Sequence, residues 1–171
     1  SSANLRHRIE HASECPPWLV HEINSQGILI ATQPAFLFYN GRRYCQEVVE
    51  ERQSWLYPLS SLIAAGVTVA GSSDAPVVPL DPMKGIYGAV TRCSSSKERI
   101  NPAEMVTALD ALKMYTLNAA YSEYRENTLG SITVGKEADM VLLDRDVRSA
   151  DDECLPEVKV HKTIINGSLA W

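Results

Sequence analysis

Apolar and polar positions follow a repeated order along the first part of the chain. Two units share this order, each with an amphipathic segment, a glycine (Gly27 or Gly66) and a short, almost uninterrupted apolar run (residues 28–32 or 67–70). A continuous apolar run of this length is typical of a strand buried on both faces, as in a parallel sheet. Helix, glycine and strand, twice over, therefore predict βα units and an α/β fold.

Weaker patterns add elements before and between these units. Residues 8–12 form a candidate strand, and a proline pair at 16–17 opens the first helix, because proline is tolerated in the first helical turn. A second helix is predicted near residues 59–65, ahead of Gly66. The polar composition of residues 39–57 predicts a long loop.

Helical patterns continue after the second unit. The sequence Asn101-Pro102-Ala103-Glu104 predicts a helix start, with Asn101 as the cap and Glu104 completing a capping box. A further helical stretch is predicted at residues 117–124.

The end of the chain is β-rich. Strands are predicted at residues 132–143 and 160–171, and the pair Asn166-Gly167 predicts a tight hairpin turn. We therefore divide the chain into an α/β portion, residues 1–128, and a small β-rich module, residues 129–171.

Composition excludes several classes of function. The 171-residue chain has a net charge of −5 without long runs of one sign, which argues against a nucleic-acid partner, and no apolar stretch has the length of a membrane span. Its scattered cysteines form no C-x-x-C pair, which excludes zinc-ribbon spacing and favours reduced thiols and a cytoplasmic location. They are Cys15, Cys45, Cys93 and Cys154.

Two residues at predicted strand ends could carry chemistry. His11 ends one candidate strand and Asp74 follows another, and catalytic side chains of parallel barrels come from the carboxyl ends of strands. An imidazole and a carboxylate so placed can share a hydrolytic metal. The spacing alone leaves other roles open, since such a histidine can be structural and Asp74, before Ala75-Pro76, can cap a turn or helix.

Longer motifs resemble the amidohydrolase superfamily. Residues 8–12 (R-I-E-H-A) resemble its sixth-strand motif, and residues 65–77 (A-G-V-T-V-A-G-S-S-D-A-P-V) resemble its eighth-strand motif. The resemblance extends, in order, over residues 79–82, 115–120, 129–144 and 166–167. The branch concerned contains N-acyl-amino-acid deacylases and related amide hydrolases.

This resemblance implies a (β/α)₈ TIM barrel that holds one or two divalent metals, zinc above all, and hydrolyses a C–N bond of a small amide other than a peptide. His11 would be a metal ligand. Asp74 would be the general base that activates water, or a further metal ligand. Residues 129–171 would belong to a small β-sandwich beside the barrel.

The chain lacks other motifs of that superfamily. The first-strand His-x-His, the fourth-strand Lys or Glu and the fifth-strand His are missing, whereas a catalytic zinc takes three protein ligands. The chain also begins at Ser1 rather than Met. We therefore expect a C-terminal fragment of an enzyme, with about three barrel strands, that is inactive by itself.

Two alternatives come from different classes. His7-Arg8-Ile9-Glu10-His11 matches H-x-x-E-H, which on a helix would place His7 and His11 on one face as the zinc ligands of a metallopeptidase with Glu10 as the general base. Alternatively, the chain is a non-catalytic fragment whose open sheet edges drive homo-oligomerisation.

Overall fold

A computed structural model of the protein describes residues 5–150 and 152–170. Its strands are β1 (Arg8–Glu10), β2 (Leu29–Thr32), β3 (Val69–Gly71), β4 (Met140–Leu143), β5 (Val160–Ile165) and β6 (Ser168–Leu169). Its α-helices are α1 (Pro17–Ser25), α2 (Ala35–Glu47), α3 (Glu50–Gln53), α4 (Leu59–Ala64), α5 (Pro82–Thr91), α6 (Ala108–Tyr115) and α7 (Leu117–Ser122). Short 3₁₀ helices lie at Pro102–Glu104 and Asp152–Glu157.

The first three strands form a parallel sheet in the order β1-β2-β3. Ile9 pairs with Ile30, and Ile30 pairs with Val69, so the three strands run in register. All residues of β2 are buried, as the continuous apolar run predicts for a central parallel strand. The predicted α/β class and parallel sheet are confirmed.

Helices α1 and α4 contribute the apolar side chains that pack in the core with this sheet. Ile30 and Val69 are completely buried, in one cluster with Val20 and Ile23 of α1 and Leu62 of α4. Burying one such side chain contributes roughly 1.5–3 kcal/mol. The helix–glycine–strand pattern therefore identified the core correctly.

The edge strand β1 carries charged side chains that form ion pairs outside the core. The guanidinium of Arg8 donates to Glu10 at 2.5 Å and to Glu123, directly after α7, at 2.6 Å. These hydrogen bonds, led by the one to Glu123, raise the pKa of Arg8.

The predicted loop at residues 39–57 is wrong, because helices α2 and α3 occupy most of it. The polar residues of α2 cover only its outer side, whereas Leu37 and Gly41 are buried. Helix α2 packs tightly on α5, which the sequence patterns did not predict. A Cβ atom at Gly88 of α5 would lie 2.4 Å from the carbonyl oxygen of Pro34, directly before α2.

The predicted helix start at Asn101 is also wrong. Asn101 has a left-handed backbone (φ 46°) and makes no capping bond, and only a short 3₁₀ helix follows it. Helix α6 begins seven residues later, where Thr107 accepts a hydrogen bond from the amide of Asp110. Glu104 is buried and accepts hydrogen bonds from the amide and the hydroxyl of Ser61 instead of forming a capping box.

The C-terminal strands form a separate antiparallel sheet in the order β4-β5-β6. The predicted hairpin turn is confirmed, since Asn166 and Gly167 both have left-handed backbones (φ 50° and 75°) between β5 and β6. Strand β4 begins only at Met140, so residues 132–139 are not a strand as predicted. Trp171, in the last predicted strand, lies outside the described residues.

A buried arginine at the end of α5 forms hydrogen bonds with two irregular segments. Arg92 is fully buried, and its guanidinium donates to the carbonyl oxygens of Leu56 (2.7 Å), Tyr57 (2.8 Å) and Ile100 (3.0 Å). Burial lowers its pKa to about 10, so it stays charged near neutral pH. One side chain thus satisfies the carbonyl groups of Leu56 and Ile100 and gives Tyr57, whose carbonyl also accepts from the amide of Leu59, a second donor.

We expect Arg92→Met to lower the free energy of unfolding by about 3 kcal/mol, because buried carbonyl groups lose their donors. Urea denaturation measures this change. The matched control is Arg125→Met, which removes an exposed ion pair with Glu137 and should cost less than about 1 kcal/mol. Equal losses in the two variants would contradict the role assigned to Arg92.

Candidate active site

His11 lies where β1 leaves the sheet. Its amide donates to the carbonyl oxygen of Ala31 at 2.8 Å, the last backbone bond of the β1–β2 ladder. Its backbone is left-handed (φ 67°), and the imidazole is exposed. The Nδ1 atom lies 2.9 Å from Oε1 of Gln33, and within the described residues Nε2 makes no hydrogen bond.

Gln33 connects the ends of all three parallel strands. It follows β2 directly, is only 2% exposed, and contacts His11 on one side. On the other side its Nε2 donates to Oγ of Ser72, directly after β3, at 2.8 Å. Sequence reasoning missed both Gln33 and Ser72, although each directly follows a strand and a position at a strand end was the pattern that selected His11.

Asp74 lies beyond the end of β3 on an exposed turn with a left-handed backbone (φ 56°). Its carbonyl oxygen, rather than its carboxylate, closes the turn by accepting from the amide of Val77 at 2.9 Å. The next helix is capped by Asp81, which accepts from the amide of Met83. The Asp74 carboxylate has no hydrogen-bond partner among residues 5–150 and 152–170, so it is not a helix cap and is available to a ligand.

His11 and Asp74 share the carboxyl edge of the sheet but are separated by β2. Adjacent strands lie about 4.8 Å apart, so β1 and β3 are roughly 10 Å apart and a ligand between them would lie above Gln33. Imidazole nitrogen and carboxylate oxygen both fit a zinc-type metal. In the described part of the chain, however, no three His, Cys, Asp or Glu side chains cluster to hold a metal. The two residues fit part of a metal site, not all of it.

The helical H-x-x-E-H hypothesis is wrong for this fold. Arg8–Glu10 is a strand of the parallel sheet, so His7 and His11 are not one helical turn apart. Glu10 is held by Arg8 at 2.5 Å.

A cavity of about 270 Å³ lies beside the end of β3. It is lined by Ala35, Ser72, Ser73, Leu80, Asp81, Pro82 and Tyr115. The Tyr115 hydroxyl is buried and has no hydrogen-bond partner in the described structure, and burial raises its pKa. Its ring fits only because Gly85 lacks a side chain, since a Cβ atom there would lie 1.8 Å from the hydroxyl oxygen.

None of the three cysteines with described side chains lines this cavity. Cys15, Cys45 and Cys93 are free thiols. Burial raises the pKa of Cys15 and of Cys45, which keeps both protonated near neutral pH.

Among the described residues, no helix combines the length and apolar character that crossing a bilayer requires.

The model of the Amidohydrolase family matches residues 2–170. The N-substituted formamide deformylase of Arthrobacter pascens is 32% identical over 172 aligned positions, which cover 100% of this chain and 32% of the relative. The chain therefore belongs to the amidohydrolase family. It spans about a third of the length of this relative.

Solved structures agree with this assignment. An uncharacterized metal-dependent hydrolase from Pyrococcus horikoshii OT3 superimposes with a TM-score of 0.76 and 25% identity, over 88% of this chain and 31% of that protein. A second, from Pyrococcus furiosus, gives a TM-score of 0.71 and 31% identity, over 84% of this chain and 29% of that protein. The parallel sheet with its helices thus corresponds to part of the amidohydrolase TIM barrel.

We expect Tyr115→Phe to leave the free energy of unfolding within about 0.5 kcal/mol of the parent, because the hydroxyl it removes has no partner in the described structure. Tyr115→Ala also removes the packed ring and should cost about 3–5 kcal/mol. Thermal and urea unfolding measure both. A loss above about 1 kcal/mol for Tyr115→Phe would show that the hydroxyl is bonded after all.

Proposed function

We propose that the chain is the C-terminal part of a metal-dependent amidohydrolase that hydrolyses a C–N bond of a small amide with water. The observation that carries this proposal is that an imidazole, His11, and a carboxylate without a described hydrogen-bond partner, Asp74, follow β1 and β3 at the carboxyl edge of one parallel sheet. Family membership and the metal-dependent hydrolases of similar fold support it.

His11 would hold the metal through its free imidazole nitrogen. A bound divalent metal, zinc in this proposal, polarises the scissile carbonyl and lowers the pKa of water. The remaining ligands would come from chain segments beyond these residues. The 171-residue chain alone would therefore be inactive, in keeping with its span of about a third of the relative.

Asp74 would act as the general base. Its carboxylate is exposed and unpaired in the described structure, so it can accept a proton from the attacking water. The same carboxyl group can then donate that proton to the leaving nitrogen as the C–N bond breaks. The exposed turn leaves the carboxylate free to reach a metal as well.

A similar protein supports a proposal for the substrate class. The relative named above is a deformylase of N-substituted formamides, and we propose a substrate of that kind, a small amide other than a peptide. The cavity beside Ser72 and Tyr115 would receive part of it. We place the enzyme in the cytoplasm, which suits the free thiols.

The substitution Asp74→Asn tests the role of Asp74 as the general base. In the longer enzyme that this proposal requires, the change should lower kcat for an N-substituted formamide by about 10²–10⁴-fold, because an amide cannot accept the proton. Circular dichroism should stay unchanged, since the carboxylate makes no hydrogen bond or ion pair within the described residues. Asp110→Asn, on a surface helix, is the matched control and should retain normal kcat. Near-normal turnover of Asp74→Asn would refute the assignment.

A second candidate function is homo-oligomerisation through the open sheet. Strand β1 lies at the edge, all of its residues are exposed, and Ile9 is 39% exposed. An uncovered parallel edge can pair with another copy.

Light scattering on the 171-residue chain would then give a multiple of 18.9 kDa. Ile9→Lys should shift this mass to the monomer, because a charge at the edge opposes pairing. Leu109→Lys, at an equally exposed apolar residue on α6, should leave the mass unchanged. A monomeric parent chain would rule out this candidate.

A further inference from the structure

We propose that Gln33 is a positioning residue that keeps the proton of His11 on Nδ1 and so leaves the lone pair of Nε2 free for the metal. The inference rests on the proposed function, since it gives His11 the role of a ligand. It adds a residue that no strand-end pattern had selected.

The hydrogen bonds of Gln33 define its direction. Its amide nitrogen donates to Oγ of Ser72 at 2.8 Å, and its Oε1 atom faces His11, 2.9 Å from Nδ1. An amide oxygen only accepts hydrogen bonds, and Nδ1 must therefore be the donor. A neutral imidazole has a single N–H group, which leaves Nε2 with its lone pair exposed.

The opposite orientation of the Gln33 amide would prevent His11 from binding a metal through Nε2. If the amide were reversed, Gln33 would donate to Nδ1 and the imidazole proton would lie on Nε2. That nitrogen could not then bind a metal. In the observed orientation, Ser72 accepts from the amide nitrogen and completes the hydrogen bonds of the Gln33 side chain.

The position of Gln33 is restricted by the fold as well as by its two partners. It is 2% exposed, between the end of β2 and the first turn of α2. The carbonyl of the next residue, Pro34, packs against the backbone at Gly88. Because the amide is buried, loss of either hydrogen bond would leave a polar group unsatisfied, which favours keeping both.

The tautomer of His11 can be measured directly. In the full chain, labelled with ¹⁵N-histidine and held at about pH 9, where imidazole is neutral, long-range ¹H–¹⁵N correlations distinguish Nδ1–H from Nε2–H. His11→Ala identifies the His11 signals, and the remaining histidines serve as internal references. We expect the Nδ1–H form in the parent chain. The Nε2–H form there would overturn the inference.

Two substitutions separate positioning from packing. Gln33→Met keeps the side-chain length but neither hydrogen bond, and it should abolish the preference for Nδ1–H. Gln33→Glu keeps an acceptor towards His11, and its second oxygen can accept from the Ser72 hydroxyl, so it should restore the preference. Loss of the Nδ1–H form in both variants would assign Gln33 a structural role only.

Titration of the longer enzyme that the proposed function requires with zinc alone, in competition with a chromophoric chelator, tests the consequence for the metal, because the described residues supply only part of a ligand set. Gln33→Met should weaken zinc affinity about 10–100-fold, whereas Gln33→Glu should stay close to the parent. If His11→Ala leaves the affinity of that enzyme unchanged, or the enzyme binds no zinc, the proposed role of His11 fails, and the tautomer measurement on the 171-residue chain still decides whether Gln33 orients it. If His11→Ala weakens binding but Gln33→Met does not, only the inference about Gln33 fails.

Discussion

Parallel pairing of β2 with both β1 and β3 is the constraint on which the candidate site depends. It brings three carboxyl ends to one edge, where His11, Gln33 and Ser72 follow the strands and hydrogen-bond in series. Antiparallel pairing would send alternate ends to opposite edges and scatter these residues. The apolar core that buries Ile30 and Val69 therefore also maintains the geometry of this polar cluster.

Much of this fold could be predicted from the sequence because the relevant patterns are local. An apolar run after a helix and a glycine correctly predicted β2 and β3. Helix α2 was missed because its many polar residues suggested a loop, although its periodic face buries Leu37 and Gly41. Asn101 failed as a helix cap for a tertiary reason. Its side chain donates to the carbonyl oxygen of Ser54, 47 positions away in sequence, and no short-range pattern contains such a partner.

The candidate site was predictable only in part. His11 and Asp74 could be selected because each ends a strand and carries a chemical group that binds metal or protons. Gln33 has an unremarkable amide side chain, and its importance arises only when β1 and β3 lie on both sides of it. The sequence could not predict the complete set of metal ligands. Within the described residues, no third His, Cys, Asp or Glu side chain lies close enough to complete a metal site with His11 and Asp74.

The close contact between α5 and the start of α2 has a consequence for how substitutions at a distance would be interpreted. Gly88 faces the carbonyl of Pro34, whose neighbour is Gln33, and any larger side chain there would displace the backbone that carries the amide. A mutational scan scored by catalytic output would rank this glycine beside genuine active-site residues. The loss of activity at Gly88 would result from the changed spacing between α2 and α5. Substitution data on this protein would therefore combine the effects of helix packing with the effects of catalytic chemistry.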